Sequence, residues 1–126
     1  MTLEEIRAQI MFQTSNDADD LPDFDPHIND YINEGYDIAL VVFEKKHLDY
    51  SEEPVDPAPL TNGEDVPVLP EWFHRALADY ATWLVYRNGN PQKQQRGMAY
   101  LDAFNKALGR AKRLVGDEQF IHHLDP

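Results

Sequence analysis

Residues 70–91 have the sequence PEWFHRALADYATWLVYRNGNP and predict a long helix, a short break and the start of a second helix. Proline is favoured in the first turn of a helix and glycine just beyond its end, so Pro70 and Gly89 are expected to bracket the first one. Its apolar residues cover more than one face, which is typical of a central, buried helix. Asn90-Pro91 then begins the next helix.

This next helix is predicted to run to Val115 and to end at Gly116. Its apolar stripe consists of Met98, Leu101, Phe104, Leu108, Ala111 and Val115. Its other face is basic and contains Lys93, Arg96, Lys106, Arg110, Lys112 and Arg113, against one acidic residue, Asp102. Packing of the two helices predicts a core that includes Trp72, Phe73, Leu77, Tyr80, Leu84, Leu101, Phe104 and Leu108.

Two shorter helices are predicted upstream of this pair. Thr2 and Glu5 have the spacing of a capping box, and the helix that they begin is expected to end near Ser15. An Asp-rich loop follows, after which Asp25-Pro26 predicts the start of the second helix. That helix has an apolar face made of Ile28, Ile32, Tyr36, Ala39, Leu40 and Phe43. Gly35 inside it costs about 1 kcal/mol relative to alanine, which suggests close packing against another backbone.

Residues 44–69 contain four prolines and show no helical pattern. Asn62-Gly63 is a strong hairpin signal, so short strands near residues 58–61 and 64–68 are predicted to pair into a projecting ribbon. An isolated hairpin is only marginally stable, which indicates that the ribbon leans on a partner. The ribbon residues assigned to that contact are Leu60, Thr61, Asn62, Gly63, Val66 and Val68.

These patterns together predict an all-α fold. Residues 1–116 are expected to form a four-helix domain, with the Pro-rich β-ribbon or loop of residues 44–69 inserted between the second and third helices. Residues 117–126, DEQFIHHLDP, have no pattern long enough to fold alone. They are predicted to form an extended C-terminal tail that binds a partner.

Charge is distributed unevenly along the 126 residues, whose net charge is −12. Residues 1–71 hold 18 acidic and three basic residues, whereas residues 72–126 hold five acidic and eight basic ones. Such a chain repels nucleic acid over most of its surface and can pair its acidic part with the basic part of another copy. No apolar run is long enough to span a membrane and the first residues lack the positive charge of a signal peptide, so a cytosol-like compartment is expected.

The search for catalytic and metal-binding patterns finds none, so neither enzymatic activity nor a cofactor is expected. The chain has no cysteine, which excludes thiolate sites and disulfides. A calcium loop starting at Asp17 would place Pro22 where glycine is required and Ile28 where the bidentate glutamate belongs. His122 and His123 are neighbours in the tail and rarely converge on one ion in such a position.

Two further features have both a structural and a functional interpretation. His74 on the central helix is expected to be a structural histidine rather than a catalytic one, because no Ser-His-Asp or metal-ligand spacing surrounds it. The basic face of the last helix could contact DNA through Lys112 and Arg113. The acidic remainder of the chain and the lack of interleaved aromatic residues favour a protein partner instead.

Residues 66–112 resemble the head-tail adaptor (connector) proteins of long-tailed bacteriophages. The shared features are a Leu-Pro-Glu helix start, a Tyr-Ala pair within that helix, a short Gly/Asn break, and a second helix with an aromatic stripe. The positions that carry the resemblance are Leu69, Pro70, His74, Ala76, Leu77, Tyr80, Ala81, Tyr100 and Phe104. The upstream helices, the acidic loop and the ribbon also fit this family.

The resemblance implies a structural protein without enzymatic activity. Adaptors of this kind form a ring, usually of twelve copies, under the portal protein, and they present a surface to a stopper or tail-terminator protein. DNA passes through the channel of the ring without specific binding, so the acidic part of the chain would line it. The expected location is the neck of the virion, after a stay in the host cytoplasm. The residues expected to bind the portal or a neighbouring copy are Arg110, Lys112, Arg113, Phe120, Ile121, His122, His123 and Leu124.

Two alternatives from other classes remain. An acidic DNA mimic that inhibits a DNA-processing protein would share the net charge, but it needs carboxylates spaced like phosphates along one exposed face. A small DNA-binding regulator is disfavoured by the charge.

Overall fold

The computed structural model describes residues 1–17, 27–45 and 56–124, the last eight of them as backbone only. This part of the chain contains four α-helices, and the predicted all-α fold is confirmed. The helices are α1 (Leu3–Gln13), α2 (Ile28–Val42), α3 (Glu71–Arg87) and α4 (Pro91–Leu124), and a short 3-10 helix, Ser15–Asp17, follows α1.

Helix α3 is the centre of the domain, as its sequence predicts. Helices α1, α2 and α4 all pack against it, and α4 returns antiparallel to α3 after a three-residue break. Asn90 caps α4, because its side-chain oxygen accepts a hydrogen bond from the Lys93 backbone N–H at 2.9 Å. Aromatic rings connect the layers. The ring centroid of Phe73 in α3 lies 5.4 Å from that of Phe43, which directly follows α2, and 6.0 Å from that of Phe104 in α4.

The predicted core is confirmed at Phe73, Leu77, Leu84 and Phe104, all fully buried. Trp72, Tyr80 and Leu108 are partly buried and pack against it, and Leu101 is partly exposed.

The predicted apolar stripe of α4 is wrong at its N-terminal end. Met98 is 45% exposed, and Lys93 and Gly97 lie on the buried side instead. A pattern based on hydrophobicity misses both of these residues. Glycine is required there by a close approach to α3, and the lysine is buried with a charged partner from a distant part of the chain.

The first turn of α1 is capped by its own residues and by the segment 56–70. The predicted capping box is present: Thr2 Oγ1 accepts from the Glu5 N–H at 3.2 Å, and Glu5 Oε1 accepts from the Thr2 N–H at 2.9 Å. The Leu3 and Glu4 N–H groups, which have no partner inside the helix, donate to the carbonyls of Asp65 (2.7 Å) and Gly63 (3.0 Å). The loop of residues 56–70 therefore accepts the hydrogen bonds that solvent would otherwise accept at this helix end.

The projecting ribbon predicted for residues 44–69 is wrong in the part that the structure describes. Residues 56–70 contain the expected turn, in which the Asp65 N–H donates to the Asn62 carbonyl, but no strand. The loop lies along the helices because helix side chains bind its backbone. Asn33 of α2 accepts from the Leu60 N–H (2.8 Å) and donates to the Leu60 carbonyl (2.9 Å), and the Val68 N–H donates to the Tyr36 hydroxyl.

The predicted C-terminal end of α4 is wrong. Helix α4 does not end at Gly116 but continues to Leu124, so residues 117–124 extend a helix rather than form an extended tail. A single glycine inside a helix costs only about 1 kcal/mol relative to alanine, which does not force the helix to end.

The predicted start of α2 at Asp25-Pro26 lies outside the described residues. Gly35 does mark a close approach, but to a side chain rather than to a backbone, since a methyl group at this position would lie 3.0 Å from the Tyr80 ring.

The double hydrogen bond from Asn33 to Leu60 predicts a measurable contribution to stability. We expect Asn33→Ala to lower the free energy of unfolding by about 1–2 kcal/mol, because two partly buried backbone groups of the loop lose their partners. Urea denaturation of the variant beside Asn105→Ala, an exposed α4 position, measures this. Equal stability of the two variants would show that the loop is not held in this way.

Candidate interaction surfaces

A buried charge cluster joins the end of α1 to the α3–α4 pair. The Asp17 carboxylate accepts hydrogen bonds from the Lys93 ammonium, from the Arg96 guanidinium and, at 2.7 Å, from the Tyr86 hydroxyl. The side chains of Asp17 and Lys93 are 8% and 9% exposed. The bond from Lys93 and then that from Tyr86 lower the pKa of Asp17 to about 2, while burial raises the pKa of Tyr86. The residue at which a calcium loop would begin is thus bound to cations of the protein itself.

This cluster predicts a specific loss of stability in acid. The pKa of Asp17 is lower in the folded chain than its ordinary value of 3.8. The ionised carboxylate therefore stabilises the folded state fully above about pH 4, and this stabilisation is lost as the pH falls toward 2. We expect Asp17→Asn to melt below wild type at pH 7, since the ammonium of Lys93 and the guanidinium of Arg96 lose the negative charge of the Asp17 carboxylate. The gap between the two melting temperatures should shrink from pH 4 to pH 2. A gap that is constant over this range would contradict the assignment.

His74 has a structural role, as predicted. Its ring is buried, with Nε2 2.8 Å from the Leu69 carbonyl and Nδ1 2.7 Å from the Met1 amino group. Because a carbonyl can only accept, Nε2 carries the hydrogen and Nδ1 accepts from the ammonium group. Glu71 binds the same ammonium at 2.9 Å, and this bond lowers the pKa of Glu71. The histidine therefore joins the start of α1 to the start of α3.

The outer face of α4 is basic at its C-terminal half. Lys106, Arg110, Lys112 and Arg113 are all exposed, as is Leu114 at 42%. Arg110 stacks over the Trp72 ring at 4.1 Å from its centroid, which is a cation–π contact that holds the guanidinium in place. Beside it lies a cleft of about 320 Å³. The residues that line this cleft are Phe43, Lys45, Pro70, Trp72, Leu114 and Val115.

The outer face of α2 is acidic, a feature that the sequence reasoning missed. Four acidic side chains and two apolar ones are exposed on one side of the helix and its C-terminal end: Asp30, Glu34, Asp37, Ile38, Val41 and Glu44. The five residues within α2 occur at spacings of three, four and seven residues, which places them on one stripe of the helix, and Glu44 follows two residues beyond its end. The signal was present in the sequence, but the interpretation of α2 followed only its apolar face. Glu34 also accepts a hydrogen bond from the Tyr80 hydroxyl at 3.0 Å, which with burial raises the pKa of Tyr80 to about 12.

The predicted partner-binding residues are only partly brought together. Arg110, Lys112 and Arg113 are exposed near one another on α4. The structure gives only the backbone of the other predicted portal contacts, Phe120, Ile121, His122, His123 and Leu124, all within the last turns of α4. In the predicted ribbon, Leu60 is buried in the core and cannot contact a partner, which corrects that assignment. The remaining ribbon residues, Thr61, Asn62, Gly63, Val66 and Val68, are exposed.

Within the described residues, no group of three His, Asp or Glu side chains is arranged to hold a metal ion. No helix in that part of the chain is both long and apolar enough to cross a membrane. Comparison of the chain with protein families, with curated proteins and with solved structures finds no match.

Proposed function

We propose that this protein is a head-tail adaptor of a long-tailed bacteriophage. In this role, several copies form a ring that binds the portal protein, extends the DNA channel and presents a surface to a stopper or tail-terminator protein. The observation that carries the proposal is that the residues of the family resemblance form one packed unit. Tyr80 and Phe104 contact each other with ring centroids 4.7 Å apart, and His74 joins the start of that unit to α1.

The distribution of charge supports the same role. A channel that DNA traverses is expected to have an acidic wall, because cationic groups would hold the phosphates through counterion release. The exposed residues Glu4, Glu5 and Glu64 lie close together, where the first turn of α1 meets the loop. The basic groups of α4 are then available to protein partners. We propose that acidic side chains of residues 1–71, Glu4, Glu5 and Glu64 among them, dominate the surface that faces the channel axis and that Lys106 and Arg110 face away from it.

The length of α4 supports a portal contact at its C-terminal end. Helix α4 has 34 residues and α3 has 17, so their lengths are about 51 and 26 Å. Trp72, in the first turn of α3, contacts Arg110, and α4 continues for about 21 Å beyond that level. The sequence places Phe120, Ile121 and Leu124 in this projecting part. We propose that it binds the portal.

Truncation tests this portal contact. We expect a chain that ends at Gly116 to keep its melting temperature within a few degrees of wild type, because the described core lies upstream of that residue. The same chain should lose attachment to the portal in a co-sedimentation assay. Unfolding of the truncated chain, or attachment equal to that of the full chain, would rule out this contact.

The whole proposal is tested by locating the protein in virions. Reconstruction of the neck of a virion that carries the protein should place it between the portal and the tail. Density for the chain in the tail tip or in the capsid shell would overturn the proposal.

The acidic face of α2 favours one second candidate, a DNA mimic. Along the helix axis, however, its carboxylates are spaced at about 4–11 Å, wider than the phosphates of a DNA strand at about 3.4 Å, and Ile38 and Val41 interrupt the row. A mimic would inhibit a DNA-binding protein in competition with DNA, and Asp30→Lys/Asp37→Lys would abolish that inhibition. An adaptor shows no such inhibition.

A further inference from the structure

We infer that the acidic outer face of α2 in one copy of the chain binds the basic outer face of α4, with its adjoining cleft, in a second copy. The inference rests on the proposed ring assembly and names the two surfaces that join its subunits.

Charge complementarity is the first argument. The α2 face carries Asp30, Glu34 and Asp37 over about 11 Å of helix, and Glu44 follows two residues beyond the end of the helix. The α4 face carries Lys106, Arg110 and Arg113 at spacings of four and three residues, with Lys112 at its edge and one exposed acidic residue, Asp102. Opposite potentials on two surfaces steer encounter and fix the register of the contact, whereas two acidic or two basic faces repel each other.

Apolar complementarity is the second argument. Ile38 and Val41 are exposed in the middle of the acidic face, a position that leaves apolar surface in contact with water in a lone copy. The cleft beside the basic face is lined by apolar side chains, among them Trp72 and Leu114. Because Arg110 is already held over Trp72, little side-chain freedom is lost there on binding. The side chains of Ile38 and Val41 are the occupants assigned to this cleft.

The placement of the two faces determines the kind of assembly. Both α2 and α4 pack against α3, and the acidic and basic faces are made of different residues. When subunits join in a row through two unlike faces, the subunit at one end keeps an unused acidic face and the subunit at the other end keeps an unused basic face. Such head-to-tail contacts extend until they close into a ring, or else form a filament.

Charge reversal tests the contact. The double variants Asp30→Lys/Asp37→Lys and Lys106→Glu/Arg113→Glu each reverse two charges of one face, so that this face loses its net charge and like charges meet across the contact. We expect each variant alone to self-associate at least about 100-fold more weakly than wild type in sedimentation equilibrium. An equimolar mixture should regain the wild-type assembly, because the lysines introduced on the α2 face of one variant can meet the glutamates introduced on the α4 face of the other, while the two unchanged faces also meet. This recovery also shows that both variants are folded.

Arg75→Glu/Arg87→Glu is the control for Lys106→Glu/Arg113→Glu, because it makes the same change in net charge at exposed positions of α3. We expect it to assemble like wild type. The absence of cysteine permits a second measurement, in which Val41→Cys and Leu114→Cys chains should form a disulfide with each other under mild oxidation.

The inference is overturned if wild type remains a monomer at about 1 mM, or if the two charge-reversal variants assemble as wild type does. It is also overturned if the mixture does not recover. None of these results decides whether the chain lies in the virion neck, so they leave the proposed function to its own test.

Discussion

Phe104→Ala is expected to lower the free energy of unfolding by about 3–5 kcal/mol, the range measured for buried phenylalanines. The ring is 1% exposed and contacts Tyr80 and Phe73, so its removal leaves a cavity between α3 and α4. For a domain of this size the loss corresponds to a fall of roughly 10–20 °C in melting temperature.

Met98→Ala is the matched control for this variant. Met98 lies on the same helix but is 45% exposed, so the substitution should change the free energy of unfolding by less than about 1 kcal/mol. Thermal unfolding followed by circular dichroism measures both proteins. Equal melting temperatures for the two variants would mean that α4 packs on α3 through another face.

Gly97→Ala should destabilise the protein by about 1–3 kcal/mol, although alanine is the better helix former by about 1 kcal/mol. A methyl group at this position would lie 2.7 Å from Tyr86 Cβ and 2.9 Å from the Trp83 ring, much closer than normal contact. Either α4 must move away from α3 or the two side chains must leave their positions.

Gly116→Ala makes the same chemical change in the same helix and should have the opposite effect. Nothing lies within 4 Å of a methyl group at Gly116, so the gain in helix propensity is retained and the protein should become more stable by up to about 1 kcal/mol. Urea denaturation of both variants measures the difference. If Gly116→Ala destabilised the chain, residue 116 would not lie inside a helix; if Gly97→Ala stabilised it, the close approach at Gly97 would be wrong.

Local signals in the sequence were sufficient for the helices and for most of the core. Pro70 and Asn90-Pro91 act on the backbone of their own turns, so the starts of α3 and α4 follow from the sequence alone. The burial of Phe73 and Phe104 follows from helical periodicity in the same way.

Features that depend on distant residues could not be predicted in this way. Lys93 was assigned to the exposed basic face, but Asp17, 76 residues away in sequence, makes its burial favourable. The loop was expected to project because nothing in its own sequence shows that Asn33 binds Leu60. The acidic row on α2 was readable from spacing, whereas the cleft beside the basic face requires three elements to be placed together.

The central claim is that this chain assembles into a ring on a portal protein. Its most direct test is native mass spectrometry of the purified chain mixed with the portal protein encoded in the same genome. We expect one complex that contains the portal oligomer and a ring of adaptor copies, twelve in number as the family resemblance implies. Free portal and free chain at about 10 µM, with no joint complex, would contradict it.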